Sequence, residues 1–355
     1  MKISNVKFET IKLVLHEPFV TAAAARIAQH NALVKVETDE GVFGIGEAVP
    51  TKHVTGETID TLMDALGTLA KKITGMDPLD LEAIHRAMDA TVADHPAAKA
   101  AFDIALFDIK GKVLEQPLYM VLGGDSDSIE TDVTLSVQDP VALAEAAMRK
   151  VDEGFRILKI KVGVNPEMDI EGIAITRKAV GNGIILKADA NQGYSVSDAI
   201  HVIEEIKKHG VVSIEQPVHR DDIDGMASII ERTGFFVIAD ESVFYPEDAQ
   251  RVIDKNACRM VNIKLMKSGG IFKAERINAI CEDAGVPCMV GSMVEARVAN
   301  AAGAHFAAAK RNIKEVDLDG FILTKDVPSI KGGFETHGGV IALLDKPGLG
   351  VEVDF

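Results

Sequence analysis

The chain has 355 residues, 47% of them hydrophobic and 26% charged, enough to bury a sizeable core in one large unit plus a smaller one. Lysine and arginine number 38 against 54 acidic residues, and the formal charge of −16 argues against nucleic acid or an anionic membrane surface as a partner. Cys258, Cys281 and Cys288 lack C-x-x-C spacing and read as free thiols in a reducing compartment, not as a disulfide framework or zinc site.

The opening segment, MKISNVKFETIKLVL, alternates like a strand and lacks the continuous apolar stretch of a signal peptide. No apolar run has the length needed to span a bilayer, so a cytoplasmic protein is expected. NALVKVET then leads through Thr38-Asp39-Glu40-Gly41 into GVFGIGEAV, the pattern of a hairpin. Gly41, Gly44 and Gly46 do not carry a strand into a helix, so turn chemistry explains them better than a nucleotide-binding loop. Helical stretches follow, KAAFDIALFDIKGKV among them, and residues 1–115 read as a separate α+β unit.

Beyond residue 116 the pattern changes. Short apolar strands recur at intervals of roughly 25 residues, each followed by a helical stretch that ends near glycine. They are DVTLSV (132–137), ILKIKV (157–162), GIILKADA (183–190), VVSIEQP (211–217), FFVIADES (235–242), RMVNIKL (259–265), VPCMVGS (286–292) and EVDLD (315–319). Eight strands alternating with helices meet the needs of a (β/α)8 barrel, with a doubly wound open sheet as the competing architecture. The last stretch, KGGFETHGGVIALL and DKPGLGVEV, returns to strand and turn character and is expected to rejoin the first unit.

In a barrel, chemistry gathers at the C-terminal ends of the strands. There the second strand carries Lys159 and Lys161, the third Asp189, the fourth Glu215, the fifth Asp240 and Glu241, the sixth Lys264, and the eighth Asp317 and Asp319. A single acidic residue in such a place commonly caps the next helix. Three on successive strands would crowd negative charge at one mouth, which a cation must neutralise. Oxygen ligands without histidine or cysteine point to a hard ion, Mg²⁺ first and Mn²⁺ second. Lys161 and Lys264 come from strands four apart in a ring of eight and face each other across the axis. Lys159, two residues before Lys161 on the same strand face, places one ammonium beside another and so makes Lys161 a usable base.

The set K-x-K (Lys159, Lys161), DAN (Asp189), EQP (Glu215), ADES (Asp240) and NIKLMKSGG (Lys264) resembles the enolase superfamily, in its muconate-lactonizing-enzyme subgroup. The DLD at 317–319 resembles the D-x-D motif of the dipeptide epimerases of the L-Ala-D/L-Glu type. That resemblance implies a (β/α)7β modified TIM barrel over residues 116–322, with an α+β capping domain built from residues 1–115 and the segment 323–355. It implies Mg²⁺ on Asp189, Glu215 and Asp240, and two-base 1,1-proton transfer through an enediolate by Lys161 and Lys264. Lys159 would contact the substrate carboxylate, Asp317 and Asp319 would pair with the dipeptide's ammonium, and Thr134, Ser292 and Met293 would line the cavity. A homo-oligomer is expected.

One position departs from the pattern. In Ala-Glu epimerases an arginine of the capping loop meets the glutamate side chain, and counting from Pro18-Phe19 places that position at Ala24, with Arg26 two residues on. The stretch from Phe19 to Ala28 is therefore expected to select the substrate, and an alanine-lined loop favours an apolar C-terminal residue. The same lysines and metal would also serve an N-acylamino acid racemase, an o-succinylbenzoate synthase or a muconate-type cycloisomerase, but none of these needs a carboxylate pair for a free ammonium. His219, Arg220 and Glu295 remain as rim residues, and Glu241 is expected on the opposite strand face from Asp240.

Overall fold

The computed structural model describes all 355 residues. Eight short parallel strands run in sequential order around a barrel: Val133–Leu135, Ile157–Lys161, Ile185–Asp189, Val211–Glu215, Val237–Ala239, Met260–Ile263, Cys288–Gly291 and Ile313–Asp317. The seam between the eighth and first strands closes through Asp132 N–H to the Val316 carbonyl at 3.1 Å and Leu318 N–H to Thr131 Oγ1 at 2.8 Å. That closure and the sequential order exclude the doubly wound alternative.

Seven strands are each followed by a helix, from Pro140–Asp152 after the first to Arg297–Ala309 after the seventh. Local sequence sets several of the helix starts. Asn165, Ser195 and Asp222 cap the second, third and fourth helices by accepting from Met168, Asp198 and Gly225 N–H, and proline opens the first, second and fifth. After the eighth strand there is only one turn, Gly320–Leu323, so the barrel is (β/α)7β.

The first unit is an antiparallel sheet of Ile3–Val20, Ala25–Thr38 and Phe43–Ala48, backed by helices Ile59–Ile73, Leu81–Thr91 and Pro96–Val113. The last helix is buried on nearly every side, because it is wedged between the sheet and the barrel. This wedge revises the reading of two glycines. Gly41 does occupy the hairpin turn at φ +85°, but Gly44 and Gly46 lie within a strand. A Cβ on them would fall 1.9 Å from the Ala105 carbonyl oxygen and 1.8 Å from that of Ala101. Close helix approach, not turn geometry, requires them.

Two buried carboxylates clamp the cap to the barrel. Glu47 accepts from Ala296 N–H at 2.7 Å and Ala299 N–H at 3.0 Å, at the start of the helix after the seventh strand. Asp103 accepts from Ile271 and Phe272 N–H, at the start of the helix after the sixth, and pairs with His85 Nε2 at 2.7 Å. Both contacts hold the barrel from its mouth side, since those helix starts follow strand C-termini.

The closing segment divides its contacts. Lys325 N–H bonds the Val14 carbonyl and Leu349 N–H bonds Asp108 Oδ1, both in the first unit. Strand Val340–Leu343 instead pairs with Phe334–His337 and with Ser128–Glu130 at the barrel's entry. A single cluster of 94 buried apolar residues runs through both units. No helix is long and apolar enough to cross a membrane.

Candidate active site

Register along the strands brings the polar residues together. Lys161 pairs with Asp189, and Asp189 with Glu215, on neighbouring strands, while Thr134 pairs with Lys159 on the first and second. Asp240 follows directly from the end of the fifth strand, Lys264 from the sixth, and Asp317 ends the eighth. All of these are buried, with Lys159 only 1% and Lys161 8% exposed.

Burying ammoniums is costly without partners, and the structure supplies them. Lys159 Nζ lies 2.7 Å from Asp317 Oδ2, 2.9 Å from Glu215 Oε2 and 3.1 Å from Asp189 Oδ2. Lys161 Nζ contacts Asp189 Oδ2 at 2.5 Å, and Lys264 Nζ contacts Asp240 Oδ2 at 2.9 Å. Burial disfavours charge on Lys159 and Lys264, but the facing carboxylates, Asp189 first for Lys159 and Asp240 for Lys264, outweigh it and hold both well above the ordinary lysine range. Among the acids, burial and the Asp189 charge push Glu215 up to about 7, and burial with Asp317 pushes Asp319 up to about 6.

The donor set suits a hard divalent cation. Asp189, Glu215 and Asp240 stand on three successive strands, offer only oxygen, and are shut off from bulk water. Their oxygens are turned toward the lysine ammoniums and are not gathered around one point. Carboxylates and ammoniums here therefore balance one another, and the same oxygens can serve either.

A cavity of about 90 Å³ lies at the centre, walled by Lys161, Lys264, Asp317, Asp319, Thr134, Ser292, Met293 and Phe19. Thr134 N–H donates to Asp319 Oδ2 at 2.7 Å, and its hydroxyl reaches Asp317 Oδ1 at 3.5 Å. Ser292 N–H donates to the Asp317 carbonyl at 2.9 Å, which fixes the seventh and eighth strand ends together. The Phe19 ring centroid is 6.0 Å from Lys161 Nζ. The structure thus brings together every expected site residue except one.

That exception is Ala24, which does not line the cavity. The hairpin pairs Phe19 with Arg26 and Val20 with Ala25, so Ala24 belongs to the tip, where its N–H is held by Thr21 Oγ1 at 3.2 Å. Ala23 and Arg26 face the cavity in its place. Arg26 Nη1 donates to Gln29 Oε1 at 3.0 Å.

Four charged residues went unnoticed in the sequence. Lys187 Nζ pairs with Asp132 Oδ2 and Glu315 Oε2, each at 2.7 Å, in a layer one step below the site. Each precedes a site residue, Asp189, Thr134 or Asp317, by two positions, so strand periodicity carried the signal. Lys267, fully buried, contacts Asp240 Oδ1 at 2.5 Å from the turn after the sixth strand. Glu241 also differs from its expected place: the fifth strand ends at Ala239, alternation no longer applies, and Glu241 lines the same cavity as Asp240.

Comparison with known proteins places the whole chain in one family. Residues 4–123 match the family described as mandelate racemase / muconate lactonizing enzyme, N-terminal domain, and residues 142–355 match enolase C-terminal domain-like. The chain is 40% identical to an L-Ala-D/L-Glu epimerase of Clostridium acetobutylicum over 99% of both chains. It is 39% identical to an N-succinyl-L-Arg/Lys racemase of Bacillus cereus, over 100% of this chain and 96% of the other. A crystal structure of a dipeptide epimerase from Enterococcus faecalis V583, complexed with Mg and L-Leu-L-Tyr, superposes with a TM-score of 0.97 at 39% identity, covering 99% of this chain and 100% of that one. With both domains matched along nearly its whole length, the chain belongs to the mandelate racemase / muconate lactonizing enzyme branch of the enolase superfamily.

Proposed function

We propose that this protein is a Mg²⁺-dependent dipeptide epimerase that inverts the α-carbon of the C-terminal residue. The observation that carries the reading is the placement of Asp317 and Asp319 in the same buried cavity as Lys161 and Lys264. Two carboxylates sharing a cavity with a pair of bases suit a substrate with a free ammonium at one end and an acidic α-proton at the other. An N-succinylated amino acid, the substrate named for the Bacillus cereus relative, has no α-ammonium to offer them, its one cation being the Arg or Lys side chain.

Asp189, Glu215 and Asp240 would hold the cation. When bound, Mg²⁺ supplies divalent charge for the substrate carboxylate, on which a second negative charge develops as the α-proton leaves. The chain's own groups do the rest. Lys159, tied to Asp317 and Glu215, presents a fixed positive charge at the same end of the site. Lys161 Nζ, as the free amine, takes the proton from one face of the α-carbon, and the Lys264 ammonium delivers one to the other face. The roles exchange for the opposite enantiomer. Asp189 and Asp240, paired in this structure to those lysines, would hold the cation at the expense of these pairs.

The second residue of the dipeptide meets the hairpin. Phe19, Ala23 and Met293 provide the apolar wall that an apolar side chain needs, while Arg26 adds a half-buried guanidinium with no carboxylate partner. That charge suits an acidic C-terminal residue, contrary to the apolar one expected from the alanine-lined loop, and relative rates on Ala-Glu and Ala-Leu decide between the two. A cytoplasmic homo-oligomer completes the reading, to be checked by light scattering and cell fractionation.

The deciding experiment is deuterium incorporation at the C-terminal α-carbon, followed by NMR in D₂O over a dipeptide set with Mg²⁺. Incorporation that stops with EDTA and returns with Mg²⁺ supports the proposal. Turnover of N-succinyl amino acids with no dipeptide exchange would overturn it.

A further inference from the structure

We infer that the space left by the missing eighth helix receives the side chain of the substrate's N-terminal residue, and that this residue is a bulky apolar one. The inference builds on the dipeptide reading and goes beyond it. The volume among the reacting groups is about 90 Å³, small beside the roughly 300–1,000 Å³ of ordinary ligand pockets. A dipeptide held there must send its side chains into neighbouring space.

A cavity of about 670 Å³ adjoins it. It lies between the first barrel strand, helix Pro140–Asp152 and the single turn Gly320–Leu323, where a complete (β/α)8 barrel would pack its last helix. Residues 15–20 of the cap cover it. Phe19, Thr134 and Leu323 line both this cavity and the catalytic one. The two spaces therefore share a wall, and Thr134 is the residue that touches Asp317 and Asp319.

An ammonium held by those carboxylates puts the first residue's α-carbon beside that shared wall. The other large space, about 990 Å³, opens against Asn191, Gln192 and Glu241, just beyond the ends of the third and fifth strands and away from the carboxylate pair. Leu135, Val137, Ala146 and Ile322 give the lateral cavity an apolar side, while Arg149 and Lys150 are balanced by Glu17 and Glu153, two charges of each sign. Neither sign prevails, so hydrophobic burial decides which side chain is preferred.

The test compares kcat/KM for Xaa-Leu and Xaa-Glu, with Xaa as Gly, Ala, Leu or Phe, in the native enzyme and in Ser136→Trp. Ser136 lines the lateral cavity only, and Ala146→Leu serves as a second filling variant. In the native enzyme Leu and Phe at the first position should match or exceed Ala in at least one series. Either filling variant should lower the Leu and Phe substrates about tenfold or more while leaving Ala and Gly substrates within about threefold. A native enzyme that prefers Ala or Gly tenfold in both series overturns the inference, as does a uniform loss across all four residues in both soluble variants. Absence of exchange with every dipeptide would instead strike the dipeptide reading itself, so the two failures are distinguishable.

Discussion

Lys159 Nζ and Asp317 Oδ2, 2.7 Å apart, tie the second barrel strand to the eighth across the mouth. The pair joins the two ends of the proposed substrate, since Lys159 also reaches Glu215 and Asp189, while Asp317 shares Thr134 with Asp319. Asp317→Asn keeps the shape and removes the charge. Its kcat/KM for free dipeptides should fall about 100-fold or more, because a buried ammonium then lacks a full partner. The ratio of activity on free against N-acetylated dipeptide should fall with it. An unchanged ratio would remove Asp317 from ammonium recognition.

Lys161 and Lys264 extend from opposite sides of the ring toward one cavity, so each serves one face of the α-carbon. Lys161→Ala and Lys264→Ala should each lower epimerisation by about 10³-fold or more. Each variant should still exchange the α-proton of one enantiomer with solvent, and the two variants should retain opposite enantiomers. NMR of the separate L,L and L,D dipeptides in D₂O reads this directly. Exchange of both enantiomers by either variant would end the two-base scheme.

Arg26 stands across the hairpin from Phe19, half-buried and bonded to Gln29 alone. Arg26→Ala should lower kcat/KM for Ala-Glu about tenfold relative to Ala-Leu, chiefly through KM, since the lost contact is the same in ground and transition states. An equal effect on both substrates would show that the guanidinium does not meet the second side chain.

The order of charged residues at the strand ends could be read from the sequence because each follows an apolar run and strands alternate with a period of two. That rule located Lys159, Lys161, Asp189, Glu215 and Asp317 on the inward face. It failed where strands stop: Glu241 turned inward because the strand had already ended at Ala239. Ala24 and Arg26 were exchanged for a similar reason, since the register between Val14 and Phe19 shifts and the hairpin pairing sets which side chain faces the cavity. Glu47 and Asp103 carry no local signal in the sequence. Their partners are backbone N–H groups roughly 170 to 250 residues away, which no local pattern displays.

His305 makes a prediction about stability independent of the catalytic centre. The ring is fully buried in helix Arg297–Ala309, and its Nδ1 accepts the Tyr119 N–H at 3.1 Å. Nε2 must then carry the proton, which it directs to the Leu349 carbonyl at 3.4 Å. Burial lowers the group to about 4. Between pH about 6.5 and about 4 the unfolded chain binds a proton that the folded histidine refuses, so stability is full above this window and declines as pH falls through it. The full difference amounts to about 3 kcal/mol. His305→Asn removes the titration while keeping an acceptor for Tyr119, at some cost in packing. The native protein's advantage over this variant, measured by urea unfolding at pH 7.5, 6, 5 and 4.5, should narrow steadily as the solution is acidified. Other titrating groups are common to both proteins and cancel in that difference. A gap that stays constant with pH would show that His305 enters and leaves the folded state with the same proton.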